Sequence, residues 1–419
     1  MKKKILILFP YPFTEFHNYK FEIARLKKEY GIEVIINDLS HIVSNKHFNK
    51  AWKTRIESQS LKFKSFLSWF KYFNKIKKEK IFIYNYIPNN NFVSFVINLI
   101  IRFSNLPVII YLPVDPFYYY EKKSTKFFLS RFLEHGLNLK IYWFGFKSFL
   151  FRSLIKIKKY NLAILFSNNF SKVKIDKLIS DKVYKVNFNT HDYSNSLLHI
   201  QKNEENKKFE KNYIIYLDNG APYFSADAHF KGEDIMKRGS GKIEHHIKNY
   251  YEDLNNFFDK IEKHFKAQIV VIPHPKYKLE TKEIKSLNPY FANREVNNEY
   301  DSLAKLSNNS LFFISTYSTA ISYAICHFKP IIHIYSSRFP HPKDDEEGIA
   351  KQSSNIGFKP IDICNFQEAE IENQFNLNKF KYEDYKYNYL TPKDKTVETI
   401  PNYKIIGNFI EKKFSEIFH

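Results

Sequence analysis

The chain has 419 residues, of which 44% are hydrophobic and 26% are charged, and its formal net charge is +21. This length can bury a large core and corresponds to two domains or one large one. The positive charge implies attraction to nucleic acid, to an anionic membrane surface or to phosphorylated substrates, without choosing among them. Only two cysteines are present, which excludes a disulfide or cysteine-rich metal framework and suits a reducing cytoplasm.

The apolar runs of the chain are short. The opening stretch MKKKILILFPYPF has a basic head, but its apolar run spans about six residues before Pro10, too few for the core of a secretory signal. We interpret it as a first strand. The best span candidate, residues 92–110, is interrupted by Arg102 and Asn105 and falls short of the roughly 18 residues that a membrane span needs. We therefore expect no membrane-spanning helix.

The first half of the chain reads as alternating strands and helices. An apolar run at 5–9 predicts a strand, the apolar spacing over 16–30 predicts a helix, and 31–36 predicts a second strand, which together form a βαβ unit. Further strands are predicted at 80–86, 107–112, 162–166 and 182–187. This pattern predicts a doubly wound, Rossmann-like domain over residues 1–205.

The second half repeats this organisation after a polar linker at 201–211. Its predicted strands lie at 213–217, 268–272, 311–314 and 330–335, and its main predicted helices at 244–265 and 320–327. We predict a second Rossmann-like domain over residues 206–400, which faces the first domain across a cleft. A final helix within 401–419 is expected to pack back across both domains.

Three strands of the second half end in polar residues. Parallel α/β sheets bind ligands at the carboxyl ends of their strands, so residues placed there are site candidates. The three ends carry Asp218 with Gly220, His274 with Pro275, and the segment STYST at 315–319.

The STYST segment leads into the predicted helix 320–327. Hydroxyls and free backbone N–H groups at a helix N-terminus attract anions, because the first amides lack partners and the helix dipole is positive there. Ser315, Thr316, Ser318 and Thr319 therefore predict a phosphate site. The competing interpretation is simple N-capping by Ser318 or Thr319.

His274 follows the run VVIP and precedes a proline. An imidazole titrates near neutrality and can give a proton or a hydrogen bond to a leaving phosphate. Pro275 would hold the ring at the strand end, and Lys276 adds a positive charge beside it. A histidine in an ordinary proline-containing turn is the alternative.

Asp218 ends the run YIIYLDNG, which places a carboxylate over the expected cleft, where it can act as a general base. The alternative is an Asx-turn residue. Asp227 is a rival base. Farther along, the acidic run 344–347 reads as a solvated loop, in which Glu346 is a candidate ligand for ribose hydroxyls.

The order Asp-x-Gly, His-Pro and then a Ser/Thr pair some forty residues on resembles the motif set of bacterial sialyltransferases and polysialyltransferases, and of transferases of other CMP-activated acidic sugars. The resemblance covers short motifs within 213–320. It implies the GT-B fold, with acceptor binding in the N-terminal domain, 1–205, a nucleotide-sugar donor site mainly in the C-terminal domain, 206–400, and no metal or other cofactor.

Carried over to this sequence, the resemblance implies that Asp218 is the base and that His274 acts on the CMP phosphate, which the Ser/Thr segment 315–319 holds. One position departs from the pattern. The family carries two acidic residues before the glycine, whereas the second is Asn219 here. If the family base occupies that second position, Asp227 or Asp192 takes the role instead.

Residues 117–160 combine roughly ten lysines and arginines with many aromatic residues, and 51–80 are similar. Such segments suit a membrane interface, although core helices with basic outer faces give the same pattern. They also suit single-stranded nucleic acid, but no RRM, KH or zinc-knuckle signature accompanies them. We expect no nucleic-acid partner, and nucleic-acid binding is the rival function outside enzymology.

The sequence therefore predicts a metal-independent glycosyltransferase that moves an acidic sugar of the sialic, pseudaminic, legionaminic acid or Kdo type from a CMP donor to a cell-surface glycan, such as a lipopolysaccharide or capsule. The alternative is a GT-B transferase or epimerase that uses a UDP- or GDP-sugar. We expect a cytoplasmic protein that is peripheral at the inner face of the plasma membrane, where a lipid-linked acceptor would lie.

Overall fold

The fold was analysed in a computed structural model. It describes residues 2–43, 59–89, 91–114, 150, 153–154, 158–173, 179–200, 212–218, 243–274, 288–339 and 343–418.

The N-terminal half contains a parallel sheet of seven strands. Their order across the sheet is β3-β2-β1-β4-β5-β6-β7, so the chain winds outward in both directions from β1. Its central strands are mainly apolar and are buried on both faces, as a sheet covered by helices requires. The strands are β1 (Lys4–Phe9), β2 (Glu33–Asp38), β3 (Leu61–Lys62), β4 (Ile81–Asn85), β5 (Pro107–Tyr111), β6 (Tyr160–Ser167) and β7 (Ser180–Asn187).

Helices cover both faces of this sheet. The single helix predicted over 16–30 is wrong, because the chain forms two helices that break at Glu22, whose φ is 55°. A non-glycine residue enters this left-handed region at a cost of about 1–2 kcal/mol, so tertiary contacts must hold it there. The helices are α1 (Glu15–Lys20), α2 (Ile23–Tyr30), α3 (Ser40–Val43), α4 (Phe66–Ile76), α5 (Phe92–Phe103) and α6 (His191–Ile200).

The C-terminal half contains a second parallel sheet, of six strands in the order β10-β9-β8-β11-β12-β13. It too winds outward from its first strand, which lies near the middle. The prediction of two Rossmann-like units is therefore confirmed. The strands are β8 (Tyr213–Asp218), β9 (Gln268–Pro273), β10 (Glu295–Val296), β11 (Phe313–Ser315), β12 (Ile331–Tyr335) and β13 (Ile361–Asp362).

Two predictions about the C-terminal helices are wrong. The helix predicted over 320–327 is a 3₁₀ turn, Thr319–Ile321, followed by a helix of five residues. The acidic run 344–347 is the first turn of a helix and not a loop, which suits carboxylates near the positive end of a helix dipole. The helices are α7 (Ile243–Phe265), α8 (Ser302–Leu306), α9 (Ser322–Cys326), α10 (Lys343–Asn355), α11 (Glu368–Asn373), α12 (Lys379–Tyr385) and α13 (Asn402–Phe418).

The last helix, α13, returns to the N-terminal half. Its buried residues, among them Ile406 and Ile410, join the core formed by strands such as β1 and β4. Gly407 lies where the helix meets Tyr30 of α2, and a Cβ built there would come within 2.5 Å of the tyrosine ring. The hydroxyl of Tyr30 donates to Asn408 Oδ1 at 2.9 Å, which holds the ring in place.

Replacing Gly407 with alanine is expected to destabilise the protein by about 1–3 kcal/mol, because the new methyl group would displace the Tyr30 ring and loosen α13 from α2. Gly348 in α10 is a matched control. A Cβ there would lie 3.6 Å from Tyr317, an ordinary contact. Gly348→Ala is expected to stabilise the helix by roughly 0.5–1 kcal/mol. Thermal unfolding of both variants tests these two expectations. A change of melting temperature in the same direction in both variants would contradict them.

Within the described ranges, no helix is long and apolar enough to cross a membrane. The division at residue 205 stays a prediction, since residues 201–211 lie outside these ranges.

Candidate active site

The three polar strand ends identified in the sequence meet at one edge of the C-terminal sheet. Strand β8 pairs with β9 on one side, where Asp218 aligns with Pro273, and with β11 on the other, where Leu217 aligns with Ser315. His274 and Thr316 are each the next residue along their strands. The register therefore places Asp218 between His274 and Thr316 at the carboxyl end of the sheet, the edge at which α/β folds bind ligands.

These three residues differ in exposure. Asp218 is 7% exposed and Thr316 is 2% exposed, whereas His274 is partly exposed. Asp218 shares a sheet face with Tyr216, two residues earlier, whose ring packs on Phe258 of α7 at 5.0 Å. Burial holds the pKa of Tyr216 well above its usual range, and Tyr250 and the charge of Asp218 raise it further. A neutral phenol and a carboxylate thus lie on the α7 face beside the strand end.

The segment after β11 is held by a glutamine that the sequence did not single out. Gln352 of α10 accepts a hydrogen bond from the backbone N–H of Ser318 at 2.9 Å and donates to the carbonyl of the same residue at 2.8 Å. Its amide also meets His333 Nε2 at 3.2 Å and Tyr385 Oη at 3.3 Å. The side chains of Gln352 and His333 are fully buried. The side chain of Gln352, called the amide clamp below, therefore fixes the backbone of Ser318 in the predicted phosphate segment.

His333 is the register partner of Ser315 on the neighbouring strand. Burial lowers the pKa of His333 to about 4, so its ring is neutral at physiological pH and suits an uncharged amide partner. Ser315 is fully buried, and its hydroxyl has no hydrogen-bond partner among the described residues. Contact between Ser315 and a ligand stays a prediction.

Ser318 and Thr319 lie at the start of the 3₁₀ turn. The side chain of Ser318 accepts from the N–H of Ala320 at 3.1 Å, which is the capping role named above as the competing interpretation. Thr319 is exposed, and its hydroxyl donates to Asp192 Oδ2 at 3.3 Å. Asp192 belongs to α6, so this contact joins the two halves. Asp192, one of the alternative bases, therefore lies beside the Ser/Thr segment.

The remaining sequence candidates fall into two groups. Glu346 lies exposed on the first turn of α10. The others lie outside the described residues; they are Gly220, Asp227, Pro275 and Lys276.

Sequence analysis also missed two buried histidines in the N-terminal half. His17 Nδ1 lies 3.0 Å from the hydroxyl of Thr14, and His191 Nε2 lies 3.3 Å from that of Tyr86. Burial, assisted by the charge of Lys20, lowers the pKa of His191 well below its usual value. His191 begins α6 a few residues after β7, so the rule applied to the C-terminal strand ends would have found it.

In the part of the chain that the structure describes, no group of three or more His, Cys, Asp or Glu side chains is placed to hold a metal ion.

No protein-family model matches the sequence, and no curated protein matches it. Solved structures do. The wall teichoic acid polymerase TagF, in its H444N variant, superposes with a TM-score of 0.52 at 13% identity over 99% of this chain and 89% of that one. The same variant soaked with CDPG superposes with a TM-score of 0.49 at 13% identity, over 100% of this chain and 90% of that one. The UDP-GlcNAc 2-epimerase of Neisseria meningitidis bound to UDP-GlcNAc superposes with a TM-score of 0.46 at 14% identity, over 98% of this chain and 100% of that one.

The chain has the GT-B fold. The fold prediction is confirmed by the two sheets and by the likeness to the polymerase. At such low identity the likeness concerns the fold alone, and the chemistry has to be argued from the strand ends.

Proposed function

We propose that the chain is a glycosyltransferase that moves a sugar from a nucleotide donor to a cell-surface glycan. The observation that carries this proposal is the register of β9, β8 and β11, which sets Asp218 between His274 and Thr316 at the ligand-binding edge of the C-terminal sheet. The fold is shared with a polymerase of a surface polymer, wall teichoic acid, which supports the same class of reaction.

In the proposed reaction an acceptor hydroxyl attacks the anomeric carbon of the donor sugar. A new bond forms between the acceptor oxygen and that carbon, and the bond from the carbon to the phosphate oxygen breaks. Asp218 takes the hydroxyl proton, and His274 gives a hydrogen bond or a proton to the leaving phosphate. Thr316 and the backbone of the Ser318 segment hold the phosphate oxygens as their charge grows, which favours the transition state over the bound donor.

The donor that we place first is a nucleoside diphosphate derivative. The teichoic acid polymerase, whose fold this chain shares, was soaked with CDPG, which is CDP-glycerol, a nucleoside diphosphate derivative without an anomeric carbon. The donor of the reaction above would be a UDP- or GDP-sugar, which carries the same diphosphate and would serve a transferase or an epimerase. The second candidate is a CMP-linked acidic sugar, for which the specific observation is the motif set Asp-x-Gly, His-Pro and Ser/Thr.

We also propose that the protein works at the inner face of the plasma membrane. A net charge of +21 supports this, since anionic lipid attracts basic proteins at about 1 kcal/mol for each nearby lysine or arginine. The basic aromatic segment that suggested this location lies largely outside the described residues.

The test is thermal unfolding of the purified chain with CMP, CDP, UDP, GDP or a short single-stranded oligonucleotide, in the presence of a chelator. A ligand at 100 times its Kd stabilises the native state by about 2.7 kcal/mol, and we expect a diphosphate to do so. Stabilisation by CMP alone would select the second candidate. Stabilisation by the oligonucleotide alone, or by none of the ligands, would refute the proposal.

The amide clamp provides a variant for the same measurement. Gln352→Leu removes both hydrogen bonds to Ser318, and we expect the nucleotide to bind about tenfold more weakly, since 1.4 kcal/mol corresponds to tenfold. Gln374→Leu is the matched control, because Gln374 is also buried but directly follows α11, where its side chain donates to the carbonyl of Glu370 and not to the Ser318 segment. Equal loss in both variants would mean that the clamp has no specific role.

A further inference from the structure

Helix α5 buries its polar side chains and turns apolar ones outward. Ser94, Asn98 and Arg102 follow one another at four-residue spacing, so they lie on one side of the helix, and all three are buried. The outward side carries only apolar residues, which are exposed at both ends of the helix and partly exposed between them; they are Phe92, Phe95, Val96, Leu99 and Phe103. A surface helix of a globular protein normally has the reverse pattern.

The buried polar side chains hold the helix in this orientation. Asn98 Oδ1 accepts a hydrogen bond from Asn85 Nδ2 at 2.7 Å. Arg102 Nη1 donates to the carbonyl of Lys158 at 2.5 Å, and its guanidinium lies 4.2 Å from the ring centre of Tyr160. Rotating the helix would break these contacts, and a buried polar group that loses its partner is costly. The apolar side of α5 is therefore fixed outward.

Helix α4 lies beside α5 and is basic on its outer side. It precedes β4 and α5 follows β4, and buried residues of both helices join one core on the same face of the sheet. Residues 59–114 contain seven lysines and one acidic residue, Glu79, whose carboxylate lies 2.6 Å from Lys4 Nζ. Leu67, in the first turn of α4, is 67% exposed. The exposed lysines on and around α4 are Lys62, Lys64, Lys71, Lys75, Lys77 and Lys78.

The outward apolar residues of α5, together with Leu67 and these six lysines, form a surface that we call the α4–α5 face. An anionic lipid bilayer matches both of its parts, since apolar side chains enter the headgroup layer and lysines meet lipid phosphates. With 12 residues, α5 is about 18 Å long, too short to cross a hydrocarbon core of about 30 Å, so it would lie along the surface. A second copy of this chain is disfavoured, because a two-fold contact would bring the same lysines together.

We propose that the α4–α5 face docks on an anionic lipid bilayer. Docking there rests on the proposed membrane location, for which it names the surface and the lipid class, and it does not depend on the transferase chemistry. Helices α4 and α5 each follow a strand, β3 and β4, so both begin at the carboxyl edge of the N-terminal sheet. Helix α6 follows β7 at the same edge, and its Asp192 contacts Thr319 beside the nucleotide edge. Docking would thus bring the bilayer to the side of the molecule where a lipid-linked acceptor is needed.

The experiment is co-sedimentation of the full chain, at physiological ionic strength, with vesicles of phosphatidylglycerol and phosphatidylcholine in equal parts and with vesicles of phosphatidylcholine alone. We expect binding to the anionic vesicles only. Leu67→Glu and Phe92→Glu should each weaken it about tenfold, because an apolar contact is lost and a carboxylate meets the lipid phosphates.

These variants are chosen so that the fold tolerates them. Leu67 and Phe92 each lie in the first turn of a helix, where an acidic residue suits the helix dipole. Phe380→Glu is the matched control, since Phe380 is 73% exposed in the first turn of α12, in the C-terminal half. It should bind the anionic vesicles as the wild type does.

A fluorescence readout keeps the apolar surface intact. Phe103→Trp places an indole on the α4–α5 face, and lipids with brominated chains should quench its emission. Phe380→Trp is the control, and bromination should quench it no more than the wild type, whose own tryptophans both variants share.

Each alternative result overturns the proposal in a different way. Vesicle binding that Leu67→Glu and Phe92→Glu leave unchanged, or a Phe103→Trp indole that is not quenched, would reject the α4–α5 face and leave the membrane location standing. Equal binding to both kinds of vesicle would reject anionic lipid as the partner. No vesicle binding would reject the face and the location together, and self-association that Leu67→Glu abolishes would then assign the face to a second copy. The nucleotide panel tests the transferase separately.

Discussion

Replacing His274 with alanine is expected to lower the rate constant for sugar transfer by about 10²- to 10⁴-fold, the usual contribution of a positioned general acid. The departing nucleotide would leave without a proton or hydrogen bond from the imidazole. Thermal stability should hardly change, because His274 is partly exposed at a strand end and not part of the core. The measurement is single-turnover release of free nucleotide from the donor class that the binding panel selects.

Two further variants separate the roles at this edge. His274→Gln keeps a hydrogen-bond donor but cannot give a proton, so an intermediate rate would indicate hydrogen bonding and a rate equal to that of the alanine variant would indicate proton transfer. Asp218→Asn removes the proposed base, and the double variant should be little slower than the slower single one if both act in one step. His264→Ala on α7 is the control. An unchanged rate in His274→Ala would reject the assignment of His274.

Most strands of both sheets could be predicted because their central residues form runs rich in β-branched and aromatic residues, whereas the two-residue strands β3, β10 and β13 leave no such run. YIIYL, QIVVI and IIHIY are examples, and each forms a strand close to its predicted bounds. Buried parallel strands leave this signature since both faces are covered. The strand-end rule then brought Asp218, His274 and Thr316 together without knowledge of the register.

The helix errors have local causes that the sequence does not display. The pattern over 16–30 is apolar at helical spacing, yet Glu22 turns inward and breaks it, because its carboxylate finds partners on α6 and α13. The helix predicted over 320–327 opens with a 3₁₀ turn, in which the carbonyl of Ser318 accepts from the N–H of Ile321 and also from the side chain of Gln352. Both partners are distant in sequence, and propensity is overridden by such tertiary contacts.

The supporting groups of the site were equally hidden. Gln352 lies in the polar helical stretch KQSSN and looks like a surface residue. Only the packing shows that its amide is fully buried. The sequence therefore indicated the strand-end residues that we propose to meet a ligand, and the structure supplied the residue that holds the 315–319 segment in place.

The buried carboxylate of Glu22 is hydrogen-bonded to α6 and to α13, and its ionisation should make the protein's stability depend on pH. It is 3% exposed, accepts a hydrogen bond from Ser194 of α6 and accepts another from the N–H of Tyr403 at 3.0 Å. Ser194 Oγ in turn accepts from the N–H of Asn402 at 2.7 Å. Burial raises the pKa of Glu22 to about 7, although these hydrogen bonds and the charge of Arg25 lower it in part.

Because this pKa is higher in the folded chain than in the unfolded one, the folded state binds the proton more tightly. The stability that Glu22 contributes is therefore complete below its unfolded pKa of about 4.5 and is lost as pH rises towards 7. At about 1.4 kcal/mol for each pKa unit, the loss amounts to about 3 kcal/mol. Glu22→Gln mimics the protonated acid, since its carbonyl can accept from Tyr403 and its amide can donate to Ser194.

We expect urea denaturation to show that Glu22→Gln is more stable than the wild type at about pH 8, and that this advantage disappears at about pH 5. Glu252→Gln, a change at an exposed glutamate of α7, should give no pH-dependent difference. Histidines and other groups titrate in both proteins alike, so the difference between the curves isolates Glu22. A pH-independent difference would mean that Glu22 is already ionised at pH 5, and that the carboxylate is stabilised by its partners more than burial destabilises it.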